Sequence, residues 1–125
     1  MISTHDIHWA AGFLEGEGCF DRGKISTDRF RGIRITAKQV DCYPLIKLQA
    51  LFGGHLGQYQ HGTKGDYIWV WTASARLAAQ MMMTLYILMS PRRQDTIREA
   101  LSNWKLTGPG GGQHKYKRLR RDKSN

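Results

Sequence analysis

Trp9-Ala10-Ala11-Gly12-Phe13-Leu14-Glu15-Gly16-Glu17-Gly18-Cys19-Phe20 combines tiny residues four apart, two carboxylates and a strand start directly after them. Ile7 to Gly16 contains no proline and has Ser3, Thr4 and Asp6 as candidate N-caps. It places Trp9, Ala10, Phe13 and Leu14 on a broad apolar face, so it reads as a helix. Gly12 and Gly16 share one face of that helix. With no side chains there, the face admits close approach, either by a second helix or by the chain's own sheet.

Outward from this run, Cys19 to Lys24 and Arg31 to Gln39 read as a half-buried hairpin. Its second strand sets Ile33, Ile35 and Ala37 against Arg34, Thr36 and Lys38 with a period of two. Pro44 opens a second helix carrying Leu45, Leu48, Leu51 and Phe52, and Gly53-Gly54 stops it. His55 to His61 and Asp66 to Thr72 form a second hairpin across Gly62 to Gly65. Ser74 caps a helix through Leu77, Ala78, Met81, Met82, Leu85 and Leu88, which Pro91 ends. Arg92 to Lys105 is the last helix, buried along Ile97, Ala100, Leu101 and Trp104. The order helix, hairpin, helix, hairpin, helix, helix predicts an α+β fold. One four-stranded antiparallel sheet carries helices on one face and leaves the other open.

At 125 residues and 41% hydrophobic content, one domain with a real core is expected, over residues 1 to 107. Residues 108 to 112 form a Gly-rich linker. Residues 113 to 125 carry six basic side chains against one acid, so five of the nine net positive charges sit in this tail. Such a balance attracts polyanions, nucleic acid above all. Two cysteines make no disulfide framework and no signal peptide is evident, so an intracellular setting is expected, in a bacterial or phage cytoplasm or an organelle. No apolar run reaches membrane-spanning length, and no membrane role is expected. Cys and His spacing suggests no zinc site, and no phosphate-binding glycine loop or nucleophile elbow occurs.

Ala10 to Gly18, AAGFLEGEG, resembles the nine-residue motif of the LAGLIDADG homing endonucleases, with Glu in place of both aspartates. The order of the remaining features is similar too: Gln39-x-Asp41, then Leu45, Leu48 and Phe52-Gly53-Gly54, then Tyr67-x-Trp69, then Arg92-Arg93-Gln94. The resemblance implies the single-motif fold, a saddle-shaped sheet under helices, working as a homodimer. Two motif helices would meet through Ala11, Gly12, Glu15 and Gly16. It further implies that Glu17, with the Gly16 carbonyl, holds Mg²⁺ or Mn²⁺. Gln39 would order water near the scissile phosphate, and Arg92 or Arg93 would stabilise phosphate charge. Two hard oxygen donors suit such an ion, and a carboxylate at a helix C-terminus is relieved by a cation. Glu15, on another helix face, reads as a capping or structural acid rather than a catalytic one.

The implied partner is double-stranded DNA. Arg34, Thr36 and Lys38 face outward if the isoleucines face inward, and an antiparallel ribbon fits the major groove. Gln58 and Gln60 are expected to join them, with Leu56 setting that parity only weakly; His55, Tyr59 and His61 are the rival set. Arg22 and Lys24 depend on whether Gly23 is a bulge. Lys115, Arg118 and Arg120 of the tail would grip phosphates. One motif supplies one acid per strand, so cleaving both strands needs two copies on a long near-palindromic site. The expected activity is that of a metal-dependent, site-specific double-strand DNA endonuclease. The same scaffold without chemistry would be a DNA-binding regulator or an intron RNA maturase, and RNA enters as a partner only in the latter case.

Overall fold

A computed structural model describes residues 2–25, 30–62 and 65–107. Helix α1 (Thr4–Glu17) starts at Ser3, whose hydroxyl accepts from the Asp6 N–H while the Asp6 carboxylate accepts from the Ser3 N–H. This reciprocal box satisfies two donors that every helix start leaves open. Its inward residues are Ala10, Ala11 and Leu14. Trp9 and Phe13 stack with ring centres 5.5 Å apart.

The main sheet contains β1 (Gly18–Asp21), β4 (Arg34–Gln39), β6 (Asp66–Ser74) and β5 (His55–His61), in that spatial order and antiparallel throughout. The expected first hairpin is interrupted, and β2 (Lys24–Ile25) and β3 (Phe30–Arg31) form a separate short ladder. The break has a local cause. Gly23 adopts φ +73, and its N–H turns back to the Asp21 carboxylate at 3.0 Å, a geometry that takes the chain out of the sheet. The long second strand of that hairpin is therefore six residues rather than nine.

Helices α2 (Tyr43–Phe52), α3 (Ala75–Leu85) and α4 (Pro91–Thr107) complete the order read from the sequence. Gly53 and Gly54 end α2 at φ +87 and +98. A Cβ on Gly54 would lie 2.8 Å from the Trp71 indole nitrogen, so only glycine fits there. That indole donates to the Gly53 carbonyl at 2.9 Å, tying the end of α2 to fully buried Trp71. Two details differ from expectation. Ser74 makes no side-chain cap; Ala75, in the left-handed region at φ +53, sends its N–H to the Ile33 carbonyl instead. Residues Tyr86–Leu88 tighten into a 3₁₀ turn, and Pro91 starts α4 as its first residue, where a missing N–H costs nothing.

The core lies between the helices and one sheet face. It gathers Leu14, Ile33, Ile35, Leu45, Leu48, Trp71, Met82, Leu85 and Ile97, all fully buried. Among the described residues no helix is long and apolar enough to cross a membrane. Residues 108–125, and with them Lys115, Arg118 and Arg120, lie outside the described residues.

Candidate active site and nucleic-acid interface

The motif helix ends abruptly. Gly18 is already extended (φ −87, ψ 156), and its N–H returns to the Leu14 carbonyl. A Cβ at Gly18 would stand 2.7 Å from that same carbonyl oxygen, so the helix-to-strand turn demands glycine by close approach rather than by dihedral. Once the chain is extended, the Gly16 carbonyl has no N–H four residues ahead in helical register, leaving it as an open acceptor at the helix end. Glu17 is exposed, and among the described residues its carboxylate has no hydrogen bond or ion pair.

Glu15 has a different fate. Its Oε1 accepts from the Ser90 N–H at 2.7 Å and its Oε2 from the Ser90 hydroxyl at 3.0 Å. Arg93 Nη2 donates to the Glu15 backbone carbonyl at 3.0 Å, and Arg93 Nε lies 3.5 Å from Oε2, close enough for an ion pair but not aligned as a hydrogen bond. The Arg93 side chain is 12% exposed and also rests on the Phe20 ring. The backbone donor of Ser90 is the main reason the Glu15 carboxyl is held below its ordinary range; the Ser90 hydroxyl and Arg93 add to it, against partial desolvation.

These contacts separate the candidate residues into two kinds. A helix carries partial positive charge at its N-terminus and negative at its C-terminus. Glu15 at the start of α4 and Arg93 at the end of α1 complement those ends. Glu17 at the end of α1 and Arg92 at the start of α4 carry the opposite, unfavourable sign, and neither has an ionic partner among the described residues. The first pair is satisfied within the chain. The second is suited to outside ligands, a cation at Glu17 and an anion at Arg92. Both arginines left open by the sequence line an open cleft of about 940 Å³ between β1 and α4, shared with Gly18, Cys19, Asp21 and Arg22; Arg93 is committed to Glu15, while Arg92 is exposed. Glu17 does not line that cleft.

Of the residues named for helix pairing, Ala11 is 4% exposed and packs into the chain's own core, and Glu15, partly exposed, is bonded to Ser90 and Arg93. Gly12 and Gly16 are exposed, and a Cβ at either would meet nothing within 4 Å. Nothing among the described residues requires glycine at these two positions.

Sheet register assigns the open face. Ile33, Ile35 and Ala37 are buried, so Arg34, Thr36 and Lys38 project away from the helices as expected. Directly paired residues share a face. Thr36 pairs Thr72 and Thr72 pairs His55; Lys38 pairs Val70; Ile68 pairs Tyr59. His55 and Tyr59 therefore join the Arg34 row. Gln58 and Gln60 oppose Trp69 and Tyr67, in register with core residue Trp71, so they lie on the other face. Leu56 does point inward, but its even-numbered neighbours follow it. Gln39 shares that inward parity, opposite Trp69 at the end of β4 just past the Gly18–Ala37 pair. Arg22 pairs with Glu99 at 3.2 Å across an exposed surface, and the Lys24 side chain lies outside what the structure describes. Asp21, which the sequence reading passed over, pairs Arg34 across β1 and β4 and accepts from its guanidinium at 3.2 Å. Only strand pairing could reveal that partner, since the two lie 13 residues apart.

No family model and no curated protein matches the chain by sequence. Solved structures do. The homing endonuclease I-CvuI in complex with its target, in the presence of 2 mM Ca, superposes with TM-score 0.65 at 16% identity, covering 82% of this chain and 69% of that one. The group I intron-encoded homing endonuclease I-CeuI complexed with DNA gives 0.63 at 18% identity over 85% of this chain and 56% of that one. The archaeal intron-encoded homing endonuclease I-Vdi141I complexed with DNA gives 0.56 at 16%, over 76% and 64%.

The chain has the LAGLIDADG homing endonuclease fold.

Within the LAGLIDADG fold, this chain sets Glu15 and Glu17 where the motif resemblance places its acids, and gives them separate environments. Among the described residues no three His, Cys, Asp or Glu side chains gather; the oxygen donors exposed at the end of α1 are the Glu17 carboxylate and the Gly16 carbonyl. Both are hard donors, which fits Mg²⁺ or Mn²⁺; such an ion keeps several waters and takes few protein ligands. The LAGLIDADG sheet here presents a mixed open face, with cations on β4 and apolar or aromatic groups on β5 and β6.

Proposed function

We propose that the chain is a Mg²⁺- or Mn²⁺-dependent, site-specific DNA endonuclease that cuts both strands of a long near-palindromic target as a homodimer. One observation carries this reading: an exposed glycine notch beside an unpaired carboxylate at the end of the same helix. Each glycine in a helix interior costs about 1 kcal/mol relative to alanine. Gly12 and Gly16 relieve no contact among the described residues, and a partner packed against them would offset the cost. A second copy of α1 suits that flat surface, and it supplies the second acid that two strands need.

In this reading Glu17 and the Gly16 carbonyl would hold the metal. When bound, Mg²⁺ supplies charge neutralisation at the phosphate and makes water a better nucleophile at neutral pH. Arg92, a cation on the positive end of α4, attracts the phosphate and offsets negative charge as it develops. Gln39 hydrogen-bonds water at the neighbouring strand end. Arg34, Thr36, Lys38, His55 and Tyr59 contact base edges, and the tail cations Lys115, Arg118 and Arg120 add affinity for phosphates without sequence preference.

Glu17→Gln is the direct experiment, on a duplex selected in Ca²⁺ from a randomised pool. Cleavage should vanish with binding held within a few-fold. Undiminished cleavage by Glu17→Gln would refute the assignment, and selected binding without cleavage by the unaltered chain would leave a DNA-binding regulator.

A further inference from the structure

Helix α1 has no basic residue in its last turn, and α4 has no acidic residue in its first turn. Each lacks the countercharge that helix ends favour, and each receives it from the other. The Glu15 carboxylate takes two donors at the start of α4, and the Arg93 guanidinium takes the Glu15 carbonyl at the end of α1. The Ser90 hydroxyl closes the ring, donating to Glu15 and accepting from the Arg93 N–H at 3.3 Å.

We propose that Glu15, Ser90 and Arg93 are positioning residues: a clasp that holds the end of α1, with the Gly16 carbonyl and Glu17, at a set distance and angle from the start of α4, with Arg92. The proposal rests on the nuclease reading for its catalytic consequence, but its structural content does not. Residues 15 and 16 are adjacent, as are 92 and 93. A clasp through Glu15 and Arg93 therefore fixes the backbones that carry Gly16, Glu17 and Arg92 while leaving those groups free for ligands. Arg93 is suited to this because its planar fork can face the carbonyl and the carboxylate of one residue together. Lysine, a compact ammonium, has no such rigid fork. Displacement of a reacting group by about an ångström is enough to cost on the order of a hundredfold in rate, so a clasp of this kind is expected to act on turnover more than on binding.

The test compares full-length chain with Glu15→Gln, Arg93→Lys and Ser90→Ala, the last removing only the hydroxyl should the first fail to fold. Amide hydrogen exchange without metal or DNA is read first. Exchange at Gly16, Glu17 and Gly18 should quicken about tenfold in Glu15→Gln and less in Arg93→Lys, with the Ile35 and Leu48 amides within twofold. With a duplex selected in Ca²⁺, binding should stay within threefold while the single-turnover rate in Mg²⁺ falls at least tenfold. Unchanged exchange at Gly16 to Gly18, or an equal rise throughout the chain, overturns the clasp, as does faster local exchange with an unaltered cleavage rate. If exchange quickens locally but the unaltered chain cuts no selected duplex, the clasp stands and the nuclease reading falls.

Discussion

Glu15 and Arg93, 78 residues apart, each bind the end of the other's helix, the carboxylate at the start of α4 and the guanidinium at the end of α1. The alternate residues of the same two segments, Glu17 and Arg92, are left with charges that their helix ends disfavour. A bound acid and an unpaired acid are thus separated within three residues of one motif, by what lies opposite each.

The first consequence concerns acid. Hydrogen bonding from Ser90 lowers the folded-state pKa of Glu15 below its unfolded value near 4.5. A depressed carboxyl pKa contributes stability that is fully present above the unfolded value and is lost as pH falls through the folded one. Urea unfolding followed between pH 6 and pH 3 should show the unaltered chain losing more stability than Glu15→Gln across the region below pH 4.5. Parallel pH profiles for the two would contradict the assignment.

Gly12→Ala separates folding from assembly. The added methyl meets nothing among the described residues, so the free subunit should gain about 0.5 to 1 kcal/mol from helix propensity. The same methyl obstructs a partner helix. Calorimetry of the free subunit, dilute and without DNA, should therefore record a raised Tm, while sedimentation in an ultracentrifuge, with selected duplex present, should record weaker pairing of subunits. Pairing left intact would place the interface elsewhere.

Gly18→Ala should do the reverse, because its Cβ would intrude to 2.7 Å from the Leu14 carbonyl, a backbone atom that cannot step aside. The expected loss is about 1 to 3 kcal/mol, accompanied by a displaced Glu17, read as a lower Tm and lower cleavage in the same variant.

Base reading should follow strand register. Replacing Arg34, Lys38 or Tyr59 by alanine should each cost about 1 to 3 kcal/mol of discrimination at one base pair, measured by competition among single-substituted duplexes. Gln58→Ala and Gln60→Ala should leave the preference profile unchanged. Asp21→Asn should resemble a partial Arg34 loss, since the guanidinium then lacks its charged partner.

Much of this was legible in the chain itself. Apolar spacing at three and four residues marked all four helices, and the period of two from Ile33 to Lys38 set the inward and outward faces of β4, because both patterns are local and each residue's neighbours are close in sequence. The second hairpin was harder. Leu56 alone could not assign parity to Gln58 and Tyr59; the pairing of β5 with β6 did, through residues such as Trp71 that are 15 positions away. The break after Asp21 was signalled only by Gly23, whose positive φ becomes visible once the Asp21 carboxylate is seen to receive its N–H.

The motif by itself determined that a helix would end in a carboxylate beside two small residues, since side-chain size and helical period are properties of consecutive positions. Which carboxylate is bound and which is free, which arginine is committed, and which face of the glycine helix stays open were decided only when α4 folded back against the end of α1. Those outcomes depend on hydrogen bonds across 75 or more residues, and no local pattern encodes a partner at that distance.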